Sequence, residues 1–259
     1  MTSLKKANVL ITGASSGIGY SCAARFAEAG ARLILAARRK EKINKLAADL
    51  RKEYGTESIA IELDVRDQKA VQKAVNGLPD AWKAIDVLVN NAGLSRGLDK
   101  LHEGRIDDWE EMIDTNVKGL LYVSRAVIPG MVERKKGMVI NIGSIAGHEV
   151  YPKGNVYCAT KYAVDALTKG MRLDLVDSPV RVCSVDPGLV ETEFSMVRFH
   201  GDTARARTVY ENITPLTPDD IAEVVVFCAT RPPHVTLADV LVLPTHQAST
   251  TLVHRTPPK

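Results

Sequence analysis

Short apolar runs rich in Val, Ile and Leu alternate along this chain with longer stretches in which apolar positions recur every three or four residues. The short runs near 7–12, 32–37, 58–63, 85–90, 137–142, 179–185 and 238–243 predict strands. The periodic stretches near 17–29, 40–54, 67–77, 107–129, 154–177 and 217–230 predict the helices between them. Strands that read as near-continuous apolar runs suit a parallel sheet covered by helices on both faces. The alternation therefore predicts an α/β fold, a doubly wound parallel β-sheet of the Rossmann type. Gly30 falls where the first helix should stop and the second strand begin.

Two stretches break the rhythm. Residues 187–215 are polar and aromatic by turns and far longer than an α/β connection needs, so they are expected to form a substrate-covering loop. Residues 244–259 carry no core pattern and are expected either to fray or to dock on another subunit.

Composition narrows the picture. With 259 residues, 45% of them hydrophobic, the chain can bury a large core, and the length suits a single domain over 1–259. Net charge is only +3, from 34 basic and 31 acidic residues without a basic stripe, which argues against a nucleic-acid partner. No apolar stretch approaches the ~20 residues of a membrane span, and Met1 to Ala7 leave no room for a signal peptide before the first strand. Cys22, Cys158, Cys183 and Cys228 lie far apart in apolar surroundings, and neither they nor the six histidines show metal-ligand spacing. A cytoplasmic protein with reduced thiols and no metal is expected.

The first strand runs into Thr12-Gly13-Ala14-Ser15-Ser16-Gly17-Ile18-Gly19, and a helix follows at once. Glycine lets the backbone turn tightly against a pyrophosphate, while the free N–H groups of the helix N-terminus face it. The spacing Gly-x-x-x-Gly-x-Gly departs from Gly-x-Gly-x-x-Gly, so this turn alone leaves dinucleotide binding open. The second strand ends in Ala36-Ala37-Arg38-Arg39, where an NAD site would carry an acid on the ribose 2′-hydroxyl. Two guanidinium groups in that place suit the 2′-phosphate of NADP.

Tyr157 and Lys161 are four apart on a predicted helix and share a face. A phenol with a pKa of about 10 is a poor base at neutral pH, and a nearby ammonium is expected to lower it. Taken alone, such a pair describes many surface helices. Ser144 at the end of the fifth strand, Asn90-Asn91-Ala92-Gly93 at the end of the fourth and Asn116 in the next helix give it a context, since ligands of parallel sheets bind at the strands' carboxyl ends. Cys158 adjoins Tyr157 but points about 100° away around the helix, and reads as packing.

In this order, the glycine turn, Asn-Asn-Ala-Gly, Asn116, Ser144 and Tyr157-x-x-x-Lys161 resemble the short-chain dehydrogenase/reductase family over essentially the whole chain. The resemblance implies that Tyr157 exchanges a proton with the substrate oxygen, that Lys161 lowers the tyrosine pKa and binds the nicotinamide ribose, that Ser144 bonds the substrate oxygen, and that Asn116 holds a water. It implies cofactor contacts from Gly13, Ser15, Ser16, Gly17, Ile18, Gly19, Arg38 and Arg39. It further implies contacts from Asp64 and Val65 at the adenine, from Asn91, Ala92 and Gly93 near the ribose, and from Pro187, Gly188 and Val190 at the nicotinamide.

Residues 188–202, 214–220 and 252–255 are similar to the NADP-dependent 3-hydroxy acid dehydrogenases, which act on L-serine and L-allo-threonine and form homotetramers. An arginine on a closing loop would suit a substrate carboxylate; Arg198 is the candidate, against the competing reading of a solvated or intersubunit arginine. A broad carbonyl reductase and a non-catalytic NADP(H)-binding sensor are the alternative functions, and the intact Ser144, Tyr157 and Lys161 weigh against the sensor.

Overall fold

The computed structural model describes residues 2–256; Met1 and the last three residues of the tail, 257–259, lie outside them. Seven strands form one sheet: β1 Asn8–Thr12, β2 Arg32–Ala37, β3 Ser58–Glu62, β4 Ile85–Asn90, β5 Gly137–Ile142, β6 Val180–Pro187 and β7 Asp239–Val242. Their order is β3-β2-β1-β4-β5-β6-β7, with every neighbour parallel. The predicted doubly wound sheet is the one observed. The order reverses between β1 and β4, and at such a switch point the connections leave to opposite faces and open a crevice at the carboxyl ends of the strands.

Each strand sends alternate residues to opposite faces, so two cores form. On one face Val9, Ile11, Leu33, Leu35, Ile140 and Val185 meet Phe26, Ile43, Leu46, Ile221 and Val225 from helices α1 (Gly17–Glu28), α2 (Lys40–Tyr54) and α10 (Pro218–Ala229). On the other, Leu10, Ile34, Leu88, Val139 and Val182 meet Val71 of α3 (Gln68–Asn76) and Val123, Val127 and Met131 of α6 (Leu120–Glu133). A short α4 (Asp80–Lys83) precedes β4. The second face is completed by α7 (Asn155–Asp174), which carries Tyr157 and Lys161.

The helix expected over 107–129 is interrupted. It runs as α5 (Ile106–Ile113), then a π-helical segment Asp114–Gly119, then α6. Buried in the wide turn, Asn116 accepts from Leu94 N–H and donates to Leu94 O and Thr160 Oγ1, at 2.8, 2.8 and 3.0 Å. Extra turns of this kind persist where tertiary bonds hold them.

The long insertion has structure of its own: α8 (Phe194–Arg198) and α9 (Thr203–Thr208) arch over the carboxyl ends of β4–β6. Its ends meet in a parallel bridge between Val190 and Leu216. Its middle is tied to the segment after β4 by Gly97 N–H to Arg198 O, 2.9 Å, and Arg96 Nη1 to Val197 O, 2.7 Å. The described part of the tail lies along this loop. Arg255 donates to Glu211 O and Val209 O, and Thr256 N–H to Asn212 O. Among the described residues no helix is long and apolar enough to cross a membrane.

Candidate active site

One cleft of about 810 Å³ opens at the carboxyl ends of the strands beneath the loop. Every predicted site residue lines it except Gly19 and Asn116. Gly13 and Gly17 have φ of +67° and +54°, a region L side chains rarely adopt. A Cβ on Gly19 would stand 2.5 Å from Gly13 O and from Asn91 Nδ2, so Gly19 serves the close crossing of helix and turn. The Asn91 amide is occupied in the same place, donating to Thr12 O at 2.9 Å and holding the turn against β4. Ser16 caps α1 without a side-chain bond to the first turn, which leaves the N–H groups there free to meet an anion.

Arg39 reaches across the turn to Ser15 Oγ at 3.1 Å and Ser16 Oγ at 2.5 Å. It also pairs with Glu193 of the loop at 2.8 Å, and Lys42 joins that carboxylate at 3.2 Å. Arg38 lies 3.8 Å from Glu111, is just over half exposed, and holds no hydrogen bond. The Arg66 guanidinium bonds Asp64 and holds its carboxyl below the usual range. These residues fit a phosphorylated dinucleotide: a glycine turn without side chains, a helix N-terminus, and cations at the end of β2 with no acid in the place that would oppose a 2′-phosphate.

At the other end of the cleft the side chains are deeply buried. Tyr157 is only 8% exposed, with Phe194 against its ring edge-on at 5.6 Å and the Arg198 guanidinium 5.2 Å from its centroid. Sequence reasoning expects Lys161 to lower the Tyr157 pKa, and here the direction is reversed. Burial pushes the phenol well above its ordinary value, and the nearest opposing influences are Arg198 and Ser144. The reason is that α8 covers the ring and excludes water, a cost the neighbouring charges do not offset. Lys161, 6.0 Å from the centre of the Tyr157 ring, donates to Ile142 O at 2.9 Å and is itself lowered by burial to about 8. Ser144 Oγ accepts from Ala146 N–H at 3.1 Å and faces Pro187 O at 3.4 Å. Asn116 stands behind these groups. Both of its amide hydrogens are engaged and its carbonyl accepts from Leu94 N–H, so its side chain braces Leu94 and Thr160.

Arg198 lines the cleft and is partly buried. It donates to Ser95 Oγ at 3.1 Å and Tyr151 Oη at 3.0 Å. Sequence reasoning missed Ser95, Tyr151 and Phe194, which come from three separate connections and share no spacing signal. Gln247 also escaped it: this buried tail residue accepts from Leu189 N–H at 2.8 Å, beside the expected nicotinamide contacts. Cys158 is buried as packing, and among the described residues no cluster of His, Cys, Asp and Glu is arranged for a metal.

Known proteins resemble this chain. The NADP-dependent 3-hydroxy acid dehydrogenase of Schizosaccharomyces pombe is 48% identical over 98% of this chain and 99% of its own length. That of Salmonella typhi, YdfG, is 49% identical over 95% and 99%. A closed form of serine dehydrogenase complexed with NADP+ is similar in structure, with a TM-score of 0.90 at 45% identity over 96% of this chain and all of that one. The pattern of the short chain dehydrogenase family matches residues 7–202, from β1 through Tyr157 and Lys161 into the loop, and the chain belongs to that family.

Proposed function

We propose that this protein is an NADP-dependent 3-hydroxy acid dehydrogenase. The observation that carries the reading is Arg198: a guanidinium inside the cleft, held by Ser95 and Tyr151 and 5.2 Å from the centre of the Tyr157 ring. A 3-hydroxy acid presents a carboxylate close to its reacting carbon, and a planar guanidinium binds a carboxylate bidentately.

NADP, when bound, supplies the hydride acceptor. Gly13, Ser15, Ser16, Gly17 and Ile18 would cradle its phosphates, Arg38 and Arg39 its 2′-phosphate, and Asp64, Val65, Asn91, Ala92 and Gly93 its adenosine half. Pro187, Gly188 and Val190 would flank the nicotinamide, with Tyr157 and Lys161 near its ribose. Ser144 and Tyr157 hold the substrate oxygen and Arg198 the carboxylate. In reduction, Tyr157 enters as the neutral phenol that burial favours and gives its proton to the carbonyl oxygen. In oxidation it takes the proton back, and the positive charges of Arg198 and Lys161 support the phenolate. Asn116 keeps the segment carrying Leu94 in place. The covering loop excludes water from these steps.

The reading extends to a cytoplasmic homotetramer of single-domain chains. Support comes from four buried thiols without disulfides among the described residues, and from exposed apolar side chains on α5 and α6, among them Ile113 and Leu121.

The test is NADPH formation at alkaline pH with L-serine, L-allo-threonine, 3-hydroxypropionate and a plain secondary alcohol, repeated with NAD. NADP-dependent turnover of the hydroxy acids is expected. Turnover of the plain alcohol alone would make the protein a general carbonyl reductase and remove the role given to Arg198.

A further inference from the structure

Behind Lys161 lies a buried acid that the reaction as described leaves without a task. Asp186, two residues before Gly188 on β6, is 2% exposed. Its carboxylate accepts from Ser184 Oγ and lies 2.9 Å from His148 Nε2. The His148 side chain is one-third exposed, and its backbone N–H closes the 3-10 turn Ile145–Gly147 between β5 and α7. Tyr162 of α7 fixes that turn by donating to His148 O at 2.6 Å.

The position of Asp186 relative to Lys161 follows from one peptide. Lys161 Nζ donates to the carbonyl of Ile142, and the next residue, Gly143, has no Cβ because Asp186 Oδ1 occupies the space where one would stand. The ammonium and the carboxylate thus approach the Ile142–Gly143 peptide together, with no carboxylate bonded to Lys161 directly. The other charged groups around them are engaged elsewhere. Asp165 of α7 pairs with Lys169, Asp239 of β7 with Arg172, and Glu149 bonds Thr250 of the tail. His148 and Lys161 are therefore the basic side chains left to face Asp186.

We infer that Asp186, with His148 as its solvent-side partner, is a positioning residue for Lys161: a fixed negative charge across the Ile142–Gly143 peptide that keeps the ammonium charged in a dry site. The electrostatics agree in sign. Burial pulls Lys161 down to about 8 and Asp186 is the influence that opposes it. Burial likewise raises Asp186, which Ser184, His148 and Lys161 oppose. Such a buried charge survives because it is hydrogen-bonded and balanced.

The inference rests on Lys161 acting in the proposed reaction, so the test reads the lysine separately from turnover. Protein labelled with ¹³C at lysine Cε is titrated by NMR without ligand, and Lys161→Met assigns the signal. Asp186→Asn keeps the shape and removes the charge. The Lys161 midpoint is expected to fall by roughly one pH unit or more, with the alkaline limb of kcat/KM moving alongside. His148→Ala leaves the Asp186 charge less compensated and is expected to hold the midpoint or raise it slightly, and His148→Gln, which retains an N–H donor, to restore it. A merely structural role would lower activity at every pH and leave the midpoint in place. A midpoint within about 0.3 unit of the native one in folded Asp186→Asn overturns the inference, since one charge in a dry site is worth about 1–3 units. If that variant does not fold, the same criterion is read from Asp186→Ser, which also removes the charge. A midpoint that moves while the kcat/KM profile stays put supports the charge link and overturns the place of Lys161 in the reaction.

Discussion

At the β1–β2 end of the cleft, Arg38, Arg39, Lys42 and Glu193 stand about half exposed; Arg39 and Lys42 pair with Glu193, and Arg38 with Glu111. At the β5–β6 end, Tyr157, Lys161 and Asp186 are almost wholly buried, and burial dominates the protonation of each. Exposed pairs contribute at most about 1 kcal/mol and exchange partners readily, so Glu193 can yield Arg39 to a phosphate at little cost. Buried groups cannot exchange partners, and their charge states depend on a few fixed neighbours. Affinity for the cofactor is thus spread over many weak contacts, while the chemistry is concentrated in few strong ones.

The sharpest way to break this contrast is at the buried end. Tyr157→Phe keeps the ring against Phe194 and removes the proton, so turnover should fall by about 10²–10⁴-fold while cofactor titration by fluorescence stays nearly native. Loss of cofactor binding on the same scale would mean that the two ends are not separable.

Lys161 gives the next largest effect, visible in stability. Its folded midpoint of about 8 lies below the ordinary 10.5. Between these values the unfolded chain binds more protons, so stability rises with pH across that window, and below it the buried ammonium is a full cost. Urea unfolding of the wild type and Lys161→Met from pH 7.5 to 10.5 should show the wild type gaining relative to the variant, by at most about 3 kcal/mol. The difference between the two proteins cancels the opposite trend that raised Tyr157 adds above about pH 10. A flat difference would place Lys161 in contact with water.

Arg198→Ala should lower kcat/KM for a 3-hydroxy acid by about 10–100-fold, the worth of a charged hydrogen bond, and spare an uncharged ketone. Equal loss on both would reduce Arg198 to a brace of the loop. The smallest effect belongs to the exposed end: Arg39→Ala should reduce the preference for NADP over NAD by about tenfold and change the stability of the free protein by under about 0.5 kcal/mol.

How much of this the sequence discloses follows the same division. Strand positions were legible to within two residues because a strand buried on both faces leaves a continuous apolar run. The cofactor turn was legible because its residues are contiguous, and Tyr157 with Lys161 because one helix carries both. The π-helical segment was not, since apolar periodicity continues through it and only the bonds from Asn116 to Leu94 and Thr160 reveal why the helix widens. The helices α8 and α9 span five and six residues, too short to repeat a pattern. The net direction of the Tyr157 shift is not legible because the ring's cover comes from α8, far along the chain. Asp186 and His148 are 38 positions apart and acquire meaning only when β5 and β6 lie side by side.

The path of the tail has a practical side. Arg255 both lines the cleft and clasps the covering loop, and Thr256 is bonded to that loop as well. Thr2, in contrast, is bonded to Thr230 and Arg231 at the edge where the strands begin. A fluorophore attached at Thr256 therefore lies on the covering loop and will report on ligand, or interfere with it. A purification handle placed ahead of Thr2 is attached to the opposite edge of the sheet.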